Sequence, residues 1–290
     1  MGEPGTRWPD LKSYLTDQTP ADLKPLGVHD LSEVTLLPVI PKPDLIAMAA
    51  VNYRKGDAPT DKEPPFPVLF LRLSSSQIGH EAPLIKPASS QKLDFEGELA
   101  VIIGKGGRHI PKDRAYDHVA GYSIYNDGSV RDWQKHSHQF TPGKNFVGTG
   151  AFGPWMVTPD DLPPLEQGIA LRTRVNGVEK QSTDTSKMIF DVPYLINYVS
   201  TFAPLVPGDV IVTGTCSGFG STRTPPEFLR EGDVVEVEIE GIGVLRNAVQ
   251  KERVAVRRVD LIAQCLHQRV DVGGQAFRCR GVQRVRPVAD

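Results

Sequence analysis

Residues 93–103 have the pattern of a β-strand with its two-residue period, in which one face is apolar and the other begins with acidic side chains. The apolar side chains share one face of the predicted strand: Phe95, Leu99, Val101 and Ile103. The opposite face opens with three carboxylates: Asp94, Glu96 and Glu98. Same-face neighbours lie roughly 6.6 Å apart on a strand, so these charges repel one another. Such a face either meets water or is neutralised by a cation.

A second strand is predicted over residues 118–126, and Asp127 follows at its end. Ser129 then suits the cap of a helix. One face of that helix would carry a guanidinium, an amide and an imidazole: Arg131, Gln134 and His138. Converging carboxylates from two strands supply the oxygen ligands of a hard divalent ion, and a guanidinium beside them binds carboxylates. The pattern indicates a metal site next to an anion pocket.

An acidic strand face alone is weak evidence for a metal. Residues 234–239 show the same alternation, with Glu236 and Glu238 opposite apolar residues, and no third ligand is near them in sequence. Such a face is usually the wet side of a sheet. The metal hypothesis therefore depends on Asp127 reaching the first strand.

Five segments then occur in a fixed order: residues 94–99, 121–127, 131–134, 143–146 and 208–215. Together they resemble the fumarylacetoacetate hydrolase family, in its acylpyruvase and 2-hydroxyhepta-diene-dioate isomerase branch, over roughly residues 43–249. Several spaced motifs in one order are more specific than any one of them. The resemblance implies a mixed β-roll, predominantly β with few helices, and a homodimer. Frequent Pro and Gly between short strand-like runs agree with that β character.

Roles follow from the resemblance, position by position. The metal ligands would be Glu96, Glu98 and Asp127, and the ion Mg²⁺, Mn²⁺ or Ca²⁺. The substrate contacts would come from four residues: Arg131, Gln134, Lys144 and Thr215. Lys144 would lie over the reacting oxygen and act in catalysis with Glu96 and Asp127, while Thr215 would hold a substrate carboxylate. A 2-oxo acid chelates a hard cation through its keto and carboxylate oxygens. The cation then stabilises the enolate that forms when the neighbouring carbon–carbon bond breaks, by roughly several kcal/mol.

One segment departs from the family. Its hydrolases carry Asn-Tyr-Arg-x-His and then a glutamate, the pair that activates water, whereas this chain has Gly56 in the histidine position. Glycine accepts no proton, so hydrolysis would need a metal-bound hydroxide or another base from the same loop: Asp57, Asp61 or Glu63. Decarboxylation or keto–enol isomerisation needs less help for water, and this loop suits those reactions at least as well.

The leading hypothesis is an enzyme, a metal-dependent hydrolase that cleaves a carbon–carbon bond of a small 2,4-dioxo acid in aromatic-compound catabolism. The alternative at the same metal is an oxaloacetate-type decarboxylase or a keto–enol isomerase. A further alternative of another class is a catalytically silent protein that binds a 2-oxo acid.

Three regions are expected along the 290 residues: a small N-terminal cap with a strand or two (1–42), the catalytic β-roll (43–250) and a disordered C-terminal extension (251–290). The formal charge of −2 provides no broad footprint for nucleic acid, and no stretch has the length of a membrane span. Three cysteines without metal-ligand spacing fit a reducing compartment, and the cytoplasm is the expected one. Cys216 is expected to be structural.

Overall fold

The computed structural model describes residues 8–17, 30–55 and 63–253. A seven-stranded sheet forms the larger layer of this part of the chain. In spatial order its strands are β2 (Val68–Leu71), β1 (Ile46–Ala50), β12 (Val210–Val212), β6 (Gly97–Ile103), β7 (Val119–Asp127), β9 (Gly150–Val157) and β3 (Gln77–Ile78). Two of its pairings are parallel, β1 with β12 and β3 with β9, and the other four are antiparallel.

A five-stranded sheet forms the second layer. Its strands are β11 (Val178–Asp184), β10 (Ala170–Val175), β13 (Val234–Ile239), β14 (Gly243–Lys251) and β4 (Leu84–Lys86). A third sheet has only two strands, β5 (Leu93–Asp94) and β8 (Ser129–Val130). The mostly β architecture with few helices confirms the fold expected from the sequence.

The described part of the chain holds four α-helices: α1 (Leu11–Asp17), α2 (Arg131–Gln134), α3 (Thr141–Lys144) and α4 (Val192–Phe202). Asp can cap a helix and Pro suits its first turn, so Asp191 and Pro193 predict a helix start, and the longest helix, α4, begins there. The Asp191 carboxylate accepts a hydrogen bond from the Tyr194 N–H. The buried face of α4, which includes Leu195 and Val199, packs into the main core. None of the helices in the described ranges is long and apolar enough to cross a membrane.

The N-terminal cap contains no strand in its described residues, 8–17 and 30–42, and the expectation of one is wrong there. It contains α1 and a 3-10 turn at Leu31–Glu33 instead. The apolar run that suggested a strand contains Pro38 and Pro41, which have no N–H to give to a ladder. The expected extension falls almost wholly on residues 254–290, which lie outside the described part.

The predicted strand over residues 93–103 is in fact two strands, β5 and β6, joined by Phe95 and Glu96. At the break, hydrogen bonds to side chains take the place of the backbone hydrogen bonds between strands. The Asp94 carboxylate accepts the N–H of Phe95, and the Glu96 N–H donates to the side chain of Asn126. The break puts Asp94 on a different sheet from Glu98. Moreover, all seven residues of β6 are buried, so its second face does not meet water.

Gly97 lies between the two glutamates, at a point where the two large sheets touch. A Cβ at this position would collide with the side chains of Thr173 on β10 and Val237 on β13. The Thr173 hydroxyl has no hydrogen-bond partner among the described residues. Glycine at position 97 therefore lets β6 press directly against the second sheet and fixes the depth at which Glu96 and Glu98 lie.

We expect Gly97→Ala to lower the free energy of unfolding by about 1–3 kcal/mol, because the added methyl overfills a packed contact. Urea denaturation measures this cost. The cost should shrink in a Thr173→Ala background, where the colliding hydroxyl is absent. An equal cost in both backgrounds would show that the glycine is not required by contact with Thr173.

Candidate metal centre

Three buried carboxylates converge where β6 and β7 run side by side. One oxygen each from Glu96, Glu98 and Asp127 lies within 4.8 Å of the others. The antiparallel register brings them together, since Gly97 pairs with Asn126 and Glu98 with Tyr125. The N–H of Asp127 also donates to the carbonyl of Glu96 at 2.8 Å. The structure thus places Asp127 beside the two glutamates, as the sequence pattern predicts.

The two glutamates experience opposite electrostatic surroundings. Burial raises the pKa of Glu96, but the charges of Arg131 and Lys144 outweigh burial and hold that pKa at about 2. Burial and the charges of Asp127 and Glu96 raise the pKa of Glu98 well above its usual range. The N–H of Gly214 donates to Glu98 at 2.7 Å, and no cationic side chain of the described residues forms an ion pair with it. Glu98 is therefore the carboxylate that lacks a counter-charge.

Lys144 lies against the triad with its ammonium fully engaged. Its Nζ donates to Glu96 Oε2 at 2.6 Å, to Asp127 Oδ2 at 2.5 Å and to Ser129 Oγ at 2.6 Å. Helix α3 ends at this residue, and the side chain is only 2 % exposed. Its predicted place over the reacting oxygen of a substrate stays a prediction.

Arg72 is a buried cation of this site that the sequence reasoning missed. Its Nη1 contacts Asp127 Oδ1 and donates to the carbonyl of Gly128, while its Nη2 donates to Thr149 Oγ1 at 2.8 Å. The available signal was a single arginine directly after the apolar β2 strand, at the end of a run that otherwise predicts a sheet core. The guanidinium occupies one oxygen of Asp127 and leaves the other facing Lys144.

The predicted helix after Asp127 is shorter than expected and is not capped by Ser129. Ser129 belongs to β8, where its hydroxyl donates to the Asp127 carbonyl and accepts from Lys144. The residue before α2 is Val130, which gives no side-chain cap. The helix ends at Gln134, since the N–H of Lys135 turns back to Asp132, so His138 does not share a helical face with Arg131. Both of these expectations are wrong.

Arg131 lies behind the triad and does not line the cavity. Its Nε donates to Asp94 at 2.8 Å, its Nη2 lies 2.7 Å from Glu96 Oε1, and its Nη1 donates to Gln134 Oε1 at 3.0 Å. A direct contact of Arg131 with substrate stays a prediction. Of the residues that it contacts, Glu96 and Gln134 line the cavity, whereas Asp94 does not.

A cavity of about 260 Å³ opens above the triad. Its wall includes the three carboxylates, Lys144, Gln134 and Thr215, and on other sides Tyr53, Lys55, Phe70, Cys216, Phe219 and Thr222. The Thr215 hydroxyl donates to the Gly97 carbonyl and accepts from Gln181, so its predicted hold on a substrate carboxylate stays a prediction. The loop around Gly56 lies outside the described residues.

Cys216 lines this cavity as an unreactive thiol. Burial raises its pKa to about 11, which keeps it protonated at neutral pH. This agrees with a structural role. Among the described residues, the triad is the only cluster of three or more histidine, cysteine or acidic side chains that suits a metal.

The carboxylate oxygens of the cluster suit a hard cation, and with every group ionised the cluster is negatively charged. Four buried carboxylates, of Asp94, Glu96, Glu98 and Asp127, face three buried cations, Arg72, Arg131 and Lys144. One negative charge is left over, and Glu98 is the group without a partner. Because a buried unpaired charge is costly, a hard cation with an affinity for oxygen completes the set. The identity of the ion, Mg²⁺, Mn²⁺ or Ca²⁺, stays a prediction.

Comparison with known proteins agrees with this geometry. The family described as fumarylacetoacetate (FAA) hydrolase C-terminal matches residues 46–250. The oxaloacetate tautomerase FAHD2A, mitochondrial, of Bos taurus is 41% identical over 230 residues, which cover 77% of this chain and 72% of that protein. The oxaloacetate tautomerase YisK of Bacillus subtilis is 42% identical over 228 residues, 77% of this chain and 75% of that protein.

Solved structures give the same answer. The fumarylacetoacetate hydrolase of Exiguobacterium antarcticum is 38% identical with a TM-score of 0.75, covering 84% of this chain and 88% of that one. The 5-carboxymethyl-2-hydroxymuconate delta-isomerase of Mycobacterium smegmatis is 36% identical with a TM-score of 0.68, covering 77% and 83%. With its five motifs, its β architecture and its carboxylate triad in place, the chain belongs to the fumarylacetoacetate hydrolase family.

Proposed function

We propose that this enzyme is a divalent-metal-dependent keto–enol tautomerase that acts on oxaloacetate or a similar small 2-oxo dicarboxylate. The observation that carries the proposal is the buried triad with Lys144 at the base of a small cavity, in a chain with glycine where family hydrolases have the histidine that activates water. Relatives at 41% and 42% identity are named oxaloacetate tautomerases, which supports the same reaction.

The three carboxylates and Lys144 each have a task in this reaction. Glu96, Glu98 and Asp127 would hold the cation, which when bound stabilises negative charge on the keto oxygen by about several kcal/mol. In the keto-to-enol direction Lys144 would turn one N–H from Ser129 to that oxygen and give up the proton there, while Glu96 and Asp127 hold its nitrogen in place. A water molecule would take the proton that leaves carbon and return one to Lys144. Tautomerisation only moves a proton between carbon and oxygen, so it needs no activated water.

Lys55 supports a substrate with a second carboxylate. It lines the cavity and is exposed, and it forms no ion pair or side-chain hydrogen bond with the described residues. The neighbouring Arg54 is occupied, since its guanidinium binds Glu63 and the carbonyl of Met188. An ammonium at this position suits the distal carboxylate of oxaloacetate better than a neutral acyl group.

Hydrolysis of a 2,4-dioxo acid in aromatic-compound catabolism is the second candidate. It is favoured by the likeness to the Exiguobacterium antarcticum fumarylacetoacetate hydrolase, at a TM-score of 0.75. The same pocket also serves a decarboxylase, and a protein that binds a 2-oxo acid without turnover is the alternative outside catalysis.

We further propose a homodimer that buries the edge strand β2. Val68, Leu71 and the nearby Leu73 are 43, 53 and 57% exposed, an apolar edge that a monomer rarely leaves uncovered. A single monomeric species in analytical ultracentrifugation at micromolar concentration would contradict the dimer.

The cytoplasm is the proposed compartment, and nucleic acid is not proposed as a partner.

The purified protein with Mg²⁺ or Mn²⁺ is expected to accelerate the enol-to-keto conversion of oxaloacetate, followed by ultraviolet absorbance. Removal of the metal by a chelator should abolish the acceleration. Added metal should restore it, because the cation again lies among the carboxylates of the triad. Acetylpyruvate with the same preparation tests the second candidate. Release of acetate without any effect on oxaloacetate tautomers would overturn the proposal in favour of a hydrolase.

A Lys55→Met arm of this assay tests the substrate class. We expect it to raise the KM for oxaloacetate by about tenfold, the value of one charge-assisted hydrogen bond, with kcat nearly unchanged. Lys55→Arg should retain most of the affinity. An unchanged KM in Lys55→Met would show that this ammonium does not bind the distal carboxylate.

Glu98→Gln is expected to weaken Mn²⁺ binding by about 100-fold or more, a larger loss than that from a contact outside the ligand set. Isothermal titration calorimetry measures it. The metal-free variant should be at least as stable as the parent, because a neutral amide removes the repulsion from Glu96 and Asp127.

Glu236→Gln is the matched control. Glu236 lies on the acidic face of β13 and pairs with Arg246, away from the triad, so Mn²⁺ binding should not change. Equal Mn²⁺ affinities of the Glu98→Gln variant and the parent would contradict the metal centre.

A further inference from the structure

Asp94 is a fully buried carboxylate that does not line the cavity, although it begins the acidic pattern of the sequence. It accepts four hydrogen bonds at 2.7–2.9 Å, from the N–H groups of Phe95, Gly220 and Ser221 and from Nε of Arg131. These donors come from three segments of the chain. Asp94 therefore joins β5, and with it the connection that holds Glu96, to α2 and to the loop around Gly220.

Arg131 passes this constraint on to Gln134, which does line the cavity. With its Nε on Asp94, the guanidinium directs Nη1 at Gln134 Oε1. Since arginine has only donors, the amide atom that faces it must be the oxygen. The Nε2 of Gln134 is therefore the atom turned away from Arg131, and it donates to no described residue. It is available to an oxygen of a ligand in the cavity.

The loop around Gly220 supplies a second part of the wall. The bonds from Gly220 and Ser221 to Asp94 fix Phe219 and Thr222, which both line the cavity. The Phe219 ring also lies 4.5 Å from the Arg131 guanidinium and covers it. A Cβ on Gly220 would meet Asp94 Oδ1 at 2.8 Å, so glycine permits this approach.

We propose that Asp94 is a positioning residue that, through Arg131, turns the N–H of Gln134 toward the ligand. The inference rests on the proposed function only in taking a 2-oxo acid as that ligand. Without the negative charge of Asp94, Arg131 has only Glu96 as an anionic partner and loses the contact that sets the direction of its Nη1. The Gln134 amide is then free to rotate.

Oxalate binding to the Mn²⁺-loaded protein tests this inference without turnover, and KM and kcat for oxaloacetate accompany it. We expect Asp94→Asn to weaken oxalate binding by about three- to tenfold, the value of one hydrogen bond, and to raise KM more than it lowers kcat. Gln134→Met, which has no N–H, should lose a similar amount. The double variant should bind no more weakly than Gln134→Met alone, because both changes remove the same hydrogen bond.

Asp209→Asn is the matched control for stability. Asp209 is also buried and accepts the N–H groups of Leu45 and Val206, but it does not line the cavity. The Asp209→Asn substitution should lower the free energy of unfolding and leave the oxalate affinity unchanged. If Asp94→Asn does not fold, Arg131→Lys keeps the backbone bonds of Asp94 while removing the donor to Gln134, and the same non-additivity with Gln134→Met is expected.

Additive losses in the double variant, or an unchanged oxalate affinity in Asp94→Asn, would overturn the positioning role. A parent protein that binds oxalate but does not tautomerise oxaloacetate refutes the proposed function alone and leaves this inference standing if the cycle is non-additive. A parent that binds no oxalate with Mn²⁺ overturns both.

Discussion

The excess of negative charge in the buried cluster is the constraint on which the rest of the site depends. Three carboxylates within 4.8 Å of one another in a protein interior repel strongly, and each needs a compensating partner. Lys144 bridges Glu96 and Asp127, and Arg72 holds the far side of Asp127. Glu98 receives only a backbone N–H. The protein thus neutralises all but one of these charges itself and leaves room for one hard cation.

The fold provides this arrangement through a break between two strands. If residues 93–103 formed one continuous strand, Asp94, Glu96 and Glu98 would share a face, and all three would face the same partner. Because Phe95 and Glu96 interrupt the ladder, Asp94 joins the small β5–β8 sheet and binds Arg131. Glu98 remains on β6 beside β7. One sequence pattern therefore supplies two functions, support by Asp94 and candidate metal ligation by the two glutamates.

Local sequence patterns predicted the parts of this site that local structure determines. The strand β6, the strand end at Asp127 and the capped start of α4 each depend on near neighbours in sequence, and all three occur in the structure. The partners of Asp127 and Asp94 depend instead on contacts between distant segments. Arg72 and Asp127 are 55 residues apart in the sequence, and Gly220 and Asp94 are 126 residues apart. The periodicity of a strand or helix carries no information over such separations. Ser129 failed as a cap because pairing with β5 outweighed its local preference.

The cavity has two parts, a base formed by the triad with Lys144 and a rim that includes Lys55. This division explains how one family supports several reactions. The triad, Lys144 and Gln134, with Arg131 behind them, would suit the stabilisation of an enolate whatever group leaves or joins it. Groups at the rim are required to activate water, to exclude water or to bind the distal carboxylate of a substrate. In this chain Lys55 lines the cavity, and the next residue in the sequence is Gly56, which has no side chain to act as base. A loop without that histidine lacks the group that family hydrolases use to activate water, whereas a proton transfer between carbon and oxygen requires no such group.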